Sequence, residues 1–182
     1  MRIAVKGTSG SGKTTTAAII AARFEIPHIE LDALNWGRQW LNRSRSELDE
    51  FRRRVEEATS TGSWVICGSY SAVDDLVLGR ALHLVWLDYS RARVMSQVMS
   101  RSFHRAWDQA ELWPGTGNRE TFRSWVDPEH PIRWAWSTWA RRREALSEIA
   151  ARGEFGPLQL ERLRTPREIP ALLERLEYAD CA

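Results

Sequence analysis

Cysteine is nearly absent: Cys67 and Cys181 are the only two in 182 residues. That excludes a disulfide-stapled scaffold and a cysteine-rich zinc site. No stretch approaches the ~18 to 20 consecutive apolar residues of a spanning helix. The opening MRIAVKGTSGSGK has neither an apolar signal core nor a small-residue cleavage site. Repeats and low-complexity tracts are missing too, so the expectation is a soluble, cytoplasmic, folded protein with no membrane partner. Lysine is the scarcest charge, with only Lys6 and Lys13 among 26 basic residues. Such an arginine excess reads as compositional bias, and it makes each lysine worth attention. Against 24 acidic residues the net charge is only +2, which argues against strong nonspecific affinity for nucleic acid.

What is present reads as strands alternating with helices in one domain, residues 1–182. Arg2 to Lys6 is a β-branched run stopped by Gly7, and Lys13 to Phe24 predicts a helix. HIEL (His28 to Leu31) is a short strand. Ser44 and Glu47 have capping-box spacing and predict a helix to about Thr59. WVIC (Trp64 to Cys67) and HLVWL (His83 to Leu87) are apolar without alternation, as in strands covered on both faces. Ser90 caps a helix to about Arg105, and Ile132, Ala135, Trp136, Trp139, Leu146 and Ile149 repeat at helical spacing to about Arg152. Leu158 to Leu163 reads as a strand, and Thr165, Pro166 and Glu168 open a last helix to about Leu176. The pattern predicts an α/β fold, a parallel sheet with helices on both faces.

One interruption stands out. Trp107 to His130 is rich in Trp, Arg, Gly and Pro, and residues 106–131 read as a lid-like insertion. Six of the ten tryptophans fall between Trp107 and Trp139. Trp136 and Trp139, three apart on a helix, predict core packing. For Trp36, Trp40 and Trp113 the choice between packing and facing a ligand stays open. Among the histidines, His28 and His83 read as core or strand-end residues, His104 could touch a phosphate, and His130 suggests no role.

Gly7-Thr-Ser-Gly-Ser-Gly12-Lys13-Thr14 fits G-x-x-x-x-G-K-[ST], with roughly 0.001 matches expected by chance from this composition. The motif follows a strand and opens a helix. Gly7, Gly10 and Gly12, with Ser9 and Ser11 between them, let the backbone turn its N–H groups around phosphates. The helix N-terminus adds its positive end. Lys13 then reaches the β- and γ-phosphates, and the Thr14 hydroxyl ligates Mg²⁺. ATP and Mg²⁺ are therefore the expected cofactors. No N-K-x-D guanine motif is present, and neither central strand ends in the acidic pair of a mechanical ATPase. Asp32, just past the second strand, can orient Mg²⁺ or accept a hydroxyl proton. Arg101, Arg105, Arg119 and Arg123 can cover a migrating phosphoryl group, a role worth ~10³ to 10⁵ in rate. The candidate catalytic set is Lys13, Asp32, Arg101, Arg105 and Arg119, with Thr14 and Asp32 toward the metal.

Across most of its length the chain resembles the bacterial adenylate-kinase-related proteins, some of them labelled DNA topology modulation proteins. The phosphate loop, HIELDALNW, WVICGSYS, LVWLD and the Arg101/Arg105 helix carry the likeness, and ELWPGTGNRE (Glu111 to Glu120) is similar to a segment found in some members. The resemblance implies a nucleoside-monophosphate-kinase fold, a P-loop sandwich with strand order 2-3-1-4-5 and a lid after strand four. It also implies donor phosphates held by Gly10 to Thr15, lid arginines Arg101 and Arg105, and the Arg164 to Arg167 turn, Arg167 included, beside the donor base. The family commonly has Asp where Cys67 stands, which leaves Asp32 to serve alone.

The leading expectation is an ATP- and Mg²⁺-dependent phosphotransferase acting on a small acceptor, a nucleotide or a metabolite hydroxyl. A kinase that modifies an antibiotic or toxin is not separable from it. The alternative is a nucleotide-gated regulatory or DNA-associated protein with little turnover.

Overall fold

The computed structural model describes residues 1–60, 62–152 and 158–180. Five strands form one parallel sheet: β1 (Arg2–Gly7), β2 (His28–Glu30), β3 (Trp64–Cys67), β4 (His83–Leu87) and β5 (Gln159–Leu163). Their order is β2-β3-β1-β4-β5. Because every pairing is parallel, all five strands end on one edge. Gly7, Glu30, Cys67, Leu87 and Leu163 close them there. Ligands of open α/β sheets bind outside this carboxyl edge.

The helices are α1 (Lys13–Phe24), α2 (Leu31–Asn35), α3 (Arg43–Ser46), α4 (Leu48–Ala58), α5 (Asp74–Leu78), α6 (Arg91–Asp108), α7 (Pro131–Arg152) and α8 (Ile169–Asp180). The sheet is buried on both faces because β3 is apolar throughout and β1 and β4 are apolar but for Arg2, Lys6 and His83. Ile3 and Val5 point to one side, packed with Ala17, Ile20, Val94, Val98, Ala135, Leu172 and Leu176 from α1, α6, α7 and α8. Ala4 points to the other, with Leu31, Phe51, Val55, Val77 and Leu78 from α2, α4 and α5. Trp64, fully buried, is the largest side chain of that second face. No helix among the described residues is long and apolar enough to cross a membrane.

Three local expectations are corrected. The helix predicted from Ser44 breaks at Glu47 (φ −140°), giving α3 and then α4 with no capping box. Ser44 is instead engaged by its N–H, which donates to Asn35 Oδ1 at 2.7 Å. The irregular segment starts later than residue 106: α6 runs to Asp108 and stops where Gln109 turns left-handed (φ 49°), so the segment spans 109–130. Of the two α7 tryptophans expected in the core, Trp139 packs against it. Trp136 is 57% exposed, with the Arg91 guanidinium 3.6 Å over its ring.

Candidate active site

The loop between β1 and α1 is shaped by two left-handed glycines. Gly12 (φ 89°) sits at the N-cap of α1, where an added Cβ would meet nothing within 4 Å. Gly10 (φ 83°) presses on α6, and a Cβ there would lie 2.6 Å from Val98 Cβ. The loop and α6 are thus fitted to each other at van der Waals contact. The Lys13 ammonium folds back over the loop, donating to the Thr8 carbonyl at 2.9 Å. Burial lowers its pKa to about 8, against the pull of Asp32 and with the repulsion of Arg142 and Arg101. These three charges surround the lysine and mark the same spot from three elements.

At the ends of β2 and β3, Glu30 and Cys67 are register partners. The Thr14 hydroxyl donates to Glu30 Oε1 at 3.1 Å, and the Cys67 thiol points at Thr14 Oγ1 from 3.8 Å. Burial and the nearby Glu30 carboxylate push the Cys67 thiol up to about 12, so it remains a neutral thiol. His28 Nε2 lies 3.4 Å from its sulfur, and burial lowers the His28 pKa. The oxygen pair Thr14 and Glu30 suits a hard cation such as Mg²⁺, and a protonated thiol does not. The residues present therefore fit Mg²⁺, with the acid drawn from the strand beside the expected one.

Asp32 lies in α2, two residues past the end of β2. The Tyr70 hydroxyl donates to Asp32 Oδ1 at 2.5 Å. Burial and the Asp32 carboxylate raise the Tyr70 pKa far above its ordinary value, which keeps it a donor. The loop bearing Tyr70 is tied to the phosphate loop by Ser69 Oγ, which donates to the Gly7 carbonyl at 3.1 Å. Beneath it the buried Lys6 ammonium pairs with Asp74. Arg142 on α7 enters from above. It donates to the Ser69 carbonyl at 3.2 Å, and burial lowers its pKa against the attraction of Tyr70, Asp32 and Asp74.

Arg101, also held in this charge cluster, donates to Ser9 Oγ at 3.4 Å. Burial and the neighbouring Arg105 lower its pKa, while Glu120, Asp32 and Glu30 oppose them. Of the residues expected from the sequence, the structure thus brings together the loop from Gly7 to Thr15, Asp32 and Arg101, with Arg105 beside Arg101. It does not bring Arg119 to them: that side chain is exposed and donates to the Gln109 carbonyl. Arg123 is exposed, and His104 is turned to the Ser100 carbonyl of its own helix at 2.7 Å. Arg167 is exposed in the turn after β5, at the same sheet edge.

The sequence reading passed over Glu30, Tyr70 and Arg142. Glu30 and Tyr70 stood in motifs already singled out, and only the β2–β3 register sets Glu30 beside position 67. Arg142 lies in an arginine run that reads as a solvated helix face, and nothing in its spacing separates it from Arg141 and Arg143.

Segment 109–130 folds onto the stretch after α2. Trp113 stacks on Trp36 (centroids 6.2 Å apart, planes at 17°), and Trp40 meets both edge-on at 5.7 and 6.1 Å. Buried Asn118 holds the two together, donating to the Gly37 carbonyl at 2.8 Å and accepting from the Trp40 N–H at 3.0 Å. The three tryptophans left open by the sequence therefore pack on one another.

This sheet order, with a glycine loop and lysine at the first strand's end, defines a P-loop α/β fold. No protein-family model matches the chain, and no curated protein matches it in sequence. Solved structures do resemble it. A gluconokinase from Sinorhizobium meliloti aligns with TM-score 0.53 and 20% identity over 96% of this chain and 92% of its own. A shikimate kinase from Bacteroides thetaiotaomicron gives 0.51 and 14% over 100% and 99%. An uncharacterized protein from Eubacterium ventriosum gives 0.54 and 12% over 100% and 99%. The likeness is one of fold, a P-loop α/β sandwich.

Proposed function

We propose that the protein is an ATP- and Mg²⁺-dependent kinase of a small metabolite that carries a hydroxyl group. The observation that carries this reading is Asp32, held by Tyr70 within the electrostatic reach of Lys13. A carboxylate fixed beside the loop and lysine by a tyrosine can serve as base for an acceptor hydroxyl, which binding of a nucleotide alone does not call for. The gluconokinase and shikimate kinase among the similar structures support a metabolite hydroxyl over a nucleotide as acceptor. The likeness to adenylate-kinase-related proteins belongs to the same reading, since both use this fold for phosphoryl transfer.

In this mechanism the amides of Gly10 to Thr15 and the Lys13 ammonium hold the donor phosphates. Asp32 takes the proton of the acceptor hydroxyl, whose oxygen forms the new bond to the γ-phosphorus as the bond to the β-phosphate oxygen breaks and ADP departs. Tyr70 keeps the carboxylate aimed. Arg101 and Arg142 face the charge that spreads over the transferring group. Thr14, with Glu30 and Asp32 near it, would hold Mg²⁺, which neutralises phosphate charge when bound. Residues 109–130 act as the lid of one kinase domain and exclude water. The reading of a nucleotide-gated protein with little turnover drew on the missing acid at Cys67 and on the DNA-topology label of the resembling family; Glu30 beside Thr14 weakens the first of these motives.

The test is ADP release from ATP and Mg²⁺ across sugar acids, polyols, cyclic hydroxy acids, nucleosides and nucleoside monophosphates. One acceptor class should stimulate release, and Lys13→Ala should lower that rate by at least ~10² to 10³. A Lys13→Ala protein that transfers normally at saturating ATP would sink the mechanism.

A further inference from the structure

Lys13 is absorbed by the phosphate site, but the chain's other lysine is not. Lys6 precedes Gly7 in β1, and strand alternation puts it on the face of Ala4, toward α2, α4 and α5. Its side chain is 3% exposed, and its ammonium pairs with Asp74, the first residue of α5, itself 20% exposed. Burying two charges is costly, and an apolar pair of similar volume commonly holds such a place at least as well. Stability alone therefore does not account for the pair.

The pair is one of several ties on the loop from Gly68 to Asp74. Next to Lys6, the Gly7 carbonyl accepts from Ser69 Oγ at 3.1 Å, so the last two residues of β1 hold the loop near both its ends. Arg142 Nη1 donates to the Ser69 carbonyl at 3.2 Å, and Arg52 Nη1 to the Ala72 carbonyl at 2.6 Å. Gly68 lies so close to α2 that an added Cβ would fall 2.6 Å from the Leu31 Cβ. Between these anchors stands Tyr70. Its ring packs edge-on against Phe51 of α4, centroids 5.3 Å apart, and its hydroxyl donates to Asp32 Oδ1 at 2.5 Å. Gly7 also opens the phosphate loop. One short, fully tied loop thus runs from the start of the phosphate loop to the carboxylate proposed as base.

We infer that Lys6, through its ion pair with Asp74, is a positioning residue that fixes the Tyr70 loop, and with it the Asp32 carboxylate, relative to the phosphate loop. The inference rests on the proposed role of Asp32. Donor phosphates are held by the glycine loop and Lys13, so the pair governs transfer and not donor affinity.

The test replaces the pair by apolar residues, Lys6→Met with Asp74→Leu, so that no buried charge is left unpaired. This double variant should melt within a few degrees of the parent and bind a non-hydrolysable ATP analogue with Mg²⁺ within about threefold. Its acceptor-dependent kcat should fall by ~10 to 10². In a Tyr70→Phe background the same replacement should cost less than about threefold, since its effect passes through that hydroxyl. Should the double variant not fold, Asp74→Asn carries the same cycle with the same criterion. Full turnover in a stable double variant would mean that the pair only fills space and would overturn the inference. An equal loss in both backgrounds would overturn it too. A second readout needs no turnover. The Tyr70 hydroxyl proton, held in its short hydrogen bond, should give a low-field proton resonance that is absent in Tyr70→Phe and shifted or lost in the double variant. A parent without that resonance, or a double variant that keeps it unchanged, would overturn the inference. A parent protein that binds the analogue and shows the resonance yet transfers to no acceptor would defeat the kinase reading and leave this comparison intact.

Discussion

The two sides of the candidate site are built from different materials. The phosphate side is backbone: left-handed glycines, helix amides and one lysine folded over its own loop. The side proposed for the acceptor and lid is long side chains: three packed tryptophans, Asn118 and, from α7, Arg142. Backbone geometry depends on a few residue types at fixed spacing, so it recurs wherever a triphosphate is bound. Side-chain geometry depends on which partners the tertiary fold delivers, and it can be rebuilt for each acceptor. The difference predicts that donor-side changes remove all activity, and that acceptor-side changes alter which molecule is phosphorylated or how firmly the lid holds.

Asp32 stands where the two sides meet, so it offers the largest effect after the loop itself. Asp32→Asn keeps the shape and the Tyr70 contact but cannot take a proton. Acceptor-dependent turnover should fall by ~10² to 10⁴ while affinity for the ATP analogue changes little. If analogue affinity falls in step with turnover, Asp32 belongs to the donor side and the division is drawn in the wrong place.

The second test concerns what supports the division. Asp88, just past β4, has its side chain 3% exposed and accepts from Arg143 of α7 and Arg162 of β5. Burial raises its pKa, but the two guanidinium groups outweigh this and hold it below the usual carboxylate value. A depressed folded pKa adds stability above the unfolded value, and that increment is lost as pH falls below about 4. Asp88→Asn should therefore cost ~1 to 2 kcal/mol near neutral pH, since both arginines are partly exposed. The gap to the parent should narrow under acid, as denaturant titrations at several pH values would show. A gap independent of pH would mean that the aspartate works by shape, not charge.

Asn118→Ala should act on the lid side alone. It leaves a buried carbonyl at Gly37 and an N–H at Trp40 without their partner, costing ~1 to 3 kcal/mol. Hydrogen exchange should show the Trp40 amide opening faster while β1 amides keep their protection. Equal loosening of both would show that the clasp and the sheet unfold as one unit.

The same contrast explains what could be read from the sequence. The strands, most of the helices after them and the phosphate loop followed from apolar runs, capping residues and glycine spacing, because each is a local pattern with a local cause, whereas the strand order came only from the family resemblance. The helix from Ser44 failed because a distant carboxamide, that of Asn35, took the N–H that the capping pattern assigned elsewhere. Trp136 and Trp139 share a helical spacing, yet only one faces the core, and three residues of rotation separate the two outcomes. Arg142 and the Lys6–Asp74 pair were invisible for a stronger reason. Their chemistry exists only after the loop from Gly68 to Asp74 is packed against β1 and α7.

Cys67 gives the smallest expected effect and the sharpest check on the division. Read alone, a cysteine at the end of the third strand removes an acid from the metal side and so predicts weak catalysis. The proposed mechanism expects otherwise, since Glu30 is the cysteine's partner across the ladder and receives the Thr14 hydroxyl. The thiol is neutral and buried, with its pKa near 12, and acts as a small packing residue. Cys67→Ala should therefore leave the Mg²⁺ dependence of acceptor-linked ADP release within about twofold of the parent, with about 1 kcal/mol of stability lost. A marked rise in the Mg²⁺ requirement would return the metal role to position 67 and take it from Glu30.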